Sequence, residues 1–255
     1  MSKLYIAAAA TKLIGKGQLD SKKPLVQYLP ELRGKVENAD RITLEQLVQH
    51  HSGIPNFTDS PDFRWDKPFK NNEKTLELVL NKPARFEHGL RYEYSNTNYL
   101  LLGHILDNTL GYSHHQYIEE AILRPLQLKS TFSLLSQANP ERVMSEYVVG
   151  CPHNVKGNDF IEPGTSMAAT AQEVGLFLTA LHNGSLLNNK EQSIYAGLYS
   201  FELAGLPEFG SLLCRYRCCY HSVHEHQQRQ SLEFFRNYAQ APSQDLRNHN
   251  TLHVP

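Results

Sequence analysis

The sequence predicts a helix-rich region over its first 185 residues, and three observations predict it. Apolar residues recur at helical spacing in five stretches. Ser or Thr followed three residues later by Gln or Glu opens three of these, the pattern of a capping box. Glycine or proline closes each of them.

The elements follow in chain order. Leu4, Ala7, Ala8, Thr11 and Ile14 form one helical stripe, and Gly15 and Gly17 stop it. The small alanines on that stripe allow neighbours to approach closely. Gln18 to Asp40 is polar and proline-bounded, and reads as irregular surface. Thr43 and Gln46 open a second helix with Leu44, Leu47 and Val48 facing the core; Gly53 and Pro55 end the segment. A third helix runs from Asn98 to Leu110, carries Leu100, Leu101, Ile105 and Leu106, and stops at Gly111. Ser113 and Gln116 open a fourth, which stops at Pro125. Thr170 and Glu173 open a fifth, with Val174, Phe177, Leu178 and Leu181 at helical spacing and Gly184 at its end.

The 255 residues carry 25 basic and 26 acidic side chains, a net charge of −1. That balance gives no argument for nucleic acid as a partner. No apolar run reaches the roughly 20 residues of a membrane span. The alanine run Ala7 to Ala10, bracketed by Lys3 and Lys12, is too short for the core of a secretory signal, and no cleavage site follows it. The sequence as it stands therefore reads as lacking an export signal, which would leave the chain in the cytoplasm.

After Leu213 the character changes. Residues 214–230 read CRYRCCYHSVHEHQQRQ, and no strand alternation is visible to Pro255. The expected organisation is a domain over residues 1–213 and an atypical polar tail over 214–255, disordered or out of frame. Cys214, Cys218, Cys219, His221, His224 and His226 invite a zinc reading, but the spacing is irregular and a matching second pair is missing. No metal is expected.

Four segments together resemble the serine β-lactamases and D-Ala-D-Ala carboxypeptidases, the penicillin-binding serine hydrolases. MSKLYIAAAATKLIGKGQLD, with VQYLPEL after it, is similar to the helix that carries the family's S-x-x-K motif. ITLEQLVQHHSGIPNF resembles its L-L-x-H-x-S-G-I-P helix and turn. FEHGLRYEYSNTNYLLLGHILDNTLGYSHHQYIEEAILRPLQL resembles the Tyr-x-Asn motif with its two following helices. GTSMAATAQEVGLFLTALHNGSLL is similar to the S-T-x-x-D helix. The resemblance implies an α/β (α+β) fold of the β-lactamase/transpeptidase type, a helical region beside an antiparallel sheet that is incomplete here. It implies hydrolysis of a cyclic or peptidic amide, or an ester, through an acyl-serine, with a small molecule or a peptidoglycan-type peptide as substrate and no cofactor.

Carried over residue by residue, the resemblance makes Lys3 the lysine of S-x-x-K, Tyr94 a general base and Asn96 a substrate-binding amide. A serine hydroxyl is a weak nucleophile until a neighbour takes its proton. Serine and lysine three apart on a helix share a face, which is how the motif supplies that neighbour. Here the position three before Lys3 precedes Met1. Ser2 lies about 100° around the helix from Lys3 and matches the interior serine of S-x-S-K. YSFELAGLPEFGSLL resembles a degraded H-T-G-x-x-P-G-F strand, with Pro207 and Phe209 in place and Glu202, Leu203 and Ala204 where His, Thr and Gly belong. A carboxylate there would repel a substrate carboxylate. The expectation is a hydrolase-family chain without activity as written, either a frame that starts late and shifts near residue 210 or a non-catalytic ligand binder or pseudogene product.

Taken singly, Lys3 reads as a solvated helix lysine and Tyr94 with Asn96 as a packed aromatic at a helix entry. The four segments in family order turn those readings toward a pocket. His50 and His51 fall in a turn the family uses structurally and are not expected to catalyse; Ser52 and Gly53 serve the same turn. Ser166 has no G-x-S-x-G elbow around it.

Overall fold

Ser2–Gly15 forms α1 in the computed structural model of the chain, which describes residues 2–148, 151, 153–157 and 167–199. By its contacts the chain divides into two units, Met1–Leu213 and Cys214–Pro255, and every described residue belongs to the first. The segments at 202–209 and 214–226 and the serine at 166 lie outside the described residues.

α1 is the centre of the helical unit. Leu4 to Thr11 and Leu13 are all buried, and Ala7, Ala8, Ala9 and Ala10 are 0% exposed. The helix is therefore enclosed on every side, where the sequence predicts a single stripe. Ile14, placed on that stripe, is only half-buried. The short alanine side chains let neighbours reach α1, among them α5 (Asn96–Leu110), α6 (His114–Ile118), the π-helical turn Glu119–Leu123, and α8 (Asn189–Tyr199).

The stretch Gln18 to Asp40 corrects the sequence reading. It contains α2 (Leu25–Tyr28) and a 3₁₀ turn at Pro30–Leu32, and it buries Leu19, Leu25, Val26, Leu29, Leu32, Val36 and Ala39. Its apolar residues follow no single period, which hid them from a periodicity argument. Leu25 N donates to Ile42 O at 2.7 Å and ties the segment to α3 (Leu44–Val48).

The capping box that opens α3 is complete. Thr43 Oγ1 accepts from Gln46 N at 3.3 Å, and Thr43 N donates to Gln46 Oε1 at 3.1 Å. α4 (Asn72–Glu77), capped by Asn71, has no counterpart among the sequence expectations. α5 begins at Asn96, two residues before the expected start, and ends at Gly111 with φ 74°. Ser113 caps α6, but through His115 N; Gln116 bonds Glu120 instead of closing a box. α7 (Ala171–Asn183) accepts its cap from Thr170, while Glu173 turns away to Ser130 N and Thr131 Oγ1. That choice joins α7 to the loop after α6.

Among the described residues there is no strand. Two isolated antiparallel bridges, Pro24 with Thr43 and Phe132 with Ala168, are the extended pairings present. The expected antiparallel sheet is therefore not part of the described residues. Among them no helix is long and apolar enough to cross a membrane.

The corner between α5 and α6 carries a pH dependence. Burial pushes the His104 ring below its ordinary value of 6.5, against the pull of Asp107, Glu31 and Glu73. Burial also opposes ionisation of Asp107, but His114 outweighs it, giving its backbone N–H and its Nδ1 to Oδ1 at 2.6 and 2.8 Å; the carboxyl lies below its usual range. Below pH 6.5 the unfolded chain binds a proton at His104 that the folded chain resists, so stability falls there. Asp107 stabilises the fold above its unfolded value, and that contribution is lost as pH falls through its depressed folded value. The urea midpoint is expected to fall between about pH 7 and about pH 5, and His104→Gln to flatten that fall. A midpoint flat across that range in the parent chain would contradict the assignment.

Candidate active site

Three elements converge on the residues singled out in the sequence. α1 delivers Lys3 from its first turn. The stretch leading into α5 delivers Tyr94, and the first turn of α5 delivers Asn96. The turn after α3, residues 49–57, forms the wall behind them.

That wall depends on backbone geometry. His50 adopts φ 59° and Gly53 φ 74°, both left-handed. Three backbone bonds then stitch the turn to the following arm: Arg85 N to Gly53 O at 2.8 Å, Gly89 N to His51 O at 2.7 Å, and Glu93 N to His50 O at 3.0 Å. The arm closes so tightly over Gly53 that an added Cβ would lie 2.2 Å from Phe86 O. Glu93, held by Arg85 and Arg91, ends the arm immediately before Tyr94.

Buried polar groups fix the wall to α5. His50, 3% exposed, accepts from Ser95 N at 3.2 Å through Nδ1 and lies 3.2 Å from Asn98 Nδ2 by the same atom. A backbone N–H is always a donor, so Nδ1 carries a lone pair and the ring proton belongs on Nε2. Ser52 Oγ donates to Asn98 Oδ1 at 2.6 Å and accepts from Ile54 N at 3.0 Å. His50 and Ser52 are therefore occupied in holding the turn, the structural part the sequence assigns them. The His50 ring also packs against Tyr94 and Tyr99, with centroids 4.7 and 5.2 Å apart.

On this support Lys3, Tyr94 and Asn96 meet. Lys3 Nζ donates to Asn96 Oδ1 at 3.0 Å, and Tyr94 OH donates to the same oxygen at 3.1 Å. The ammonium also lies 5.1 Å from the Tyr94 ring centre and 5.2 Å from that of Tyr99, within cation–π range. All three side chains are half-buried, screened from bulk water yet reachable. A lysine, a phenol and an amide around one point can take a proton from a hydroxyl once the lysine or the phenol has given up its own, hand it on and orient a carbonyl.

Three further residues of the site, Asn56, Asn98 and Tyr99, are not among those singled out from the sequence. Asn98 is 0% exposed and is the polar link between the turn and α5. Tyr99 gives its OH to Val48 O at 3.3 Å and its ring to Lys3. The signal for Asn98 and Tyr99 is the polar N-T-N-Y at the entry of an apolar helix, which by itself reads as cap and packing. An open groove of about 560 Å3 lined by Glu119, Arg124, Lys129 and Gln137 lies elsewhere and contains none of these residues. Among the described residues no group of three His, Cys, Asp or Glu side chains could hold a metal ion.

The chain is similar to several known proteins. Protein flp of Staphylococcus aureus (strain MW2) is 32% identical over 131 residues, covering 51% of this chain and 26% of that protein. A putative D-alanyl-D-alanine carboxypeptidase of Escherichia coli (strain K12) is 26% identical over 150 residues, 56% of this chain and 35% of that protein. The crystal structure of a D-stereospecific amidohydrolase from Streptomyces sp. superposes with a TM-score of 0.68 at 25% identity, covering 75% of this chain and 62% of that one. The chain thus spans between a quarter and about a third of the length of these two curated relatives. Its fold is that of the β-lactamases and transpeptidases. The Beta-lactamase family profile matches residues 1–200, most of the 255, and the chain belongs to that family.

Proposed function

We propose that residues 1–199 form the lysine–tyrosine–asparagine side of an acyl-serine hydrolase pocket for amides, with a D-residue next to the scissile bond. The observation that carries this reading is the convergence of Lys3 Nζ and Tyr94 OH on Asn96 Oδ1 at 3.0 and 3.1 Å. The names of two relatives, a D-alanyl-D-alanine carboxypeptidase and a D-stereospecific amidohydrolase, support the substrate class. In the reaction, with Lys3 as the free amine or Tyr94 as the phenolate, the serine Oγ attacks the carbonyl carbon and its proton passes to that base. The tetrahedral intermediate collapses, the same proton goes to the leaving amine, and water then releases the acyl group from Oγ. Asn96 orients the substrate amide.

The hydroxyl belongs three positions before Lys3, upstream of residue 1 in this sequence. The 255-residue polypeptide is therefore expected not to take a covalent label from a fluorescent penicillin. The same chain preceded by serine reads Ser-Met-Ser-Lys and is expected to be labelled. Lys3→Ala in that extended chain should slow labelling by about 10²–10⁴-fold. Turnover of nitrocefin by the unextended chain, lost on Lys3→Ala, would overturn the reading.

A second reading, a ligand binder without chemistry, has one sequence observation behind it. Glu202, Leu203 and Ala204 stand where the family's His-Thr-Gly strand binds a carboxylate. Reversible binding of a D-alanine amide, which carries no carboxylate for Glu202 to repel, with no label even after the serine extension, would favour it.

A further inference from the structure

The polar contacts of Asn96 continue to a fourth side chain, Asn56. Asn56 Oδ1 accepts from Asn96 N at 3.0 Å and from Asn96 Nδ2 at 3.3 Å. On its other side, Asn56 Nδ2 donates to Thr58 Oγ1 at 2.6 Å and to Asp59 Oδ1 at 3.1 Å. The series therefore runs from the Asp59 carboxylate, through two amides, to the Lys3 ammonium.

Each end of that series allows one sense only. A carboxylate oxygen accepts, and an ammonium donates. The Asn96 backbone N–H is a fixed donor in the middle and requires an oxygen on the facing side of Asn56. With Asn56 so oriented, its NH2 meets Thr58 and Asp59, and its oxygen calls for the NH2 of Asn96. Asn96 must then turn Oδ1 to Lys3 and Tyr94. A reversed Asn96 amide would set two N–H groups against the Lys3 ammonium and leave Asn56 Oδ1 facing another oxygen.

We propose that Asn56 is a positioning residue: it holds the Asn96 amide with Oδ1 toward Lys3 and Tyr94, so that ammonium and phenol aim at one point. The inference rests on the hydrolase reading for its use in catalysis, but its geometry is read out without catalysis. The turn that carries it, Ile54-Pro55-Asn56-Phe57, is anchored independently by Thr97 Oγ1, which accepts from Phe57 N at 3.0 Å and donates to Pro55 O at 2.7 Å. Removing the Asn56 amide should therefore leave the turn in place.

The test is NMR on the full chain with its lysines 13C-dimethylated, Lys3 being assigned by its absence in Lys3→Arg. In Asn56→Ala the Lys3 titration midpoint is expected to fall by about one pH unit, because the ammonium loses an oriented acceptor. The side-chain amide signals of Asn96 should shift with it. Asn56→Asp retains oxygens for Asn96 and should keep the Lys3 midpoint at or above that of the parent. An unchanged midpoint and unchanged Asn96 signals in Asn56→Ala would overturn the proposal. A midpoint in Asn56→Asp as low as in Asn56→Ala would overturn it as well. Penicillin labelling of the serine-extended chain is scored separately: labelling with an unmoved Lys3 sinks only the positioning role, and a moved Lys3 without labelling sinks only the hydrolase reading.

Discussion

Gly53→Ala is expected to destabilise the helical unit by about 4 kcal/mol or more, a large share of the roughly 5–15 kcal/mol that holds an ordinary domain. Two effects add. The residue sits at φ 74°, where an L side chain costs about 1–2 kcal/mol. The new Cβ would also lie 2.2 Å from Phe86 O, a backbone atom that no rotamer change can move aside. Relief requires the arm 85–93 to lift from the turn, breaking the bonds that Arg85, Gly89 and Glu93 make to it. Because Tyr94 follows Glu93 directly, any protein that still folds should present Tyr94 out of place. Urea unfolding followed by circular dichroism measures the loss. A midpoint within error of the parent's would show that the arm is freer than its bonds imply. Gly111→Ala is the matched control: its φ is also 74°, but no atom lies within 4 Å of the added Cβ, so only the backbone part of the loss should appear.

The second large effect is at Phe177. Its ring stacks on Tyr5 with centroids 3.7 Å apart and planes 14° from parallel, and it is 0% exposed. Phe177→Ala should cost about 3–5 kcal/mol, the range for emptying a buried aromatic site. The vacated space lies against α1 two residues past Lys3, so the ammonium should also lose its fixed approach to Asn96. In a serine-extended chain that still folds, slower penicillin labelling should accompany the loss of stability. Leu176→Ala, one residue away but 51% exposed, should change stability by less than about 0.5 kcal/mol. Equal losses at the two positions would mean that α7 does not pack on α1 through this ring pair.

Local signals in the sequence located the helix starts, but whether a capping box closes depends on what else its two side chains can reach. Thr43 and Gln46 are three residues apart, and their box closes as expected even though His88 Nδ1 also lies 3.1 Å from Gln46 Oε1. The same pattern failed by half at Thr170, because Glu173 found donors in Ser130 and Thr131, 43 and 42 residues away. At Ser113 the cap formed and Gln116 took a helical neighbour instead. Gln18 to Asp40 looked like surface because its apolar residues follow no single period. They are buried in a segment whose backbone is tied to residues farther along the chain, Leu25 N to Ile42 O and Leu44 N to Lys23 O, pairings that no single period announces.

Chemistry divides along the same line. The sequence by itself determined the family, the places of five helices among the described residues, and Lys3, Tyr94 and Asn96 as the residues to watch, since motif spacing and helix periodicity are properties of neighbouring positions. Only the tertiary structure decided that α1 is enclosed on all sides, that His50 is committed to Ser95 and Asn98, and that Asn56 stands behind Asn96. Those outcomes depend on groups 40 to 93 residues apart competing for the same donors and acceptors. Burial raises the cost of losing that competition, because an unpaired polar group inside the protein has no water to turn to.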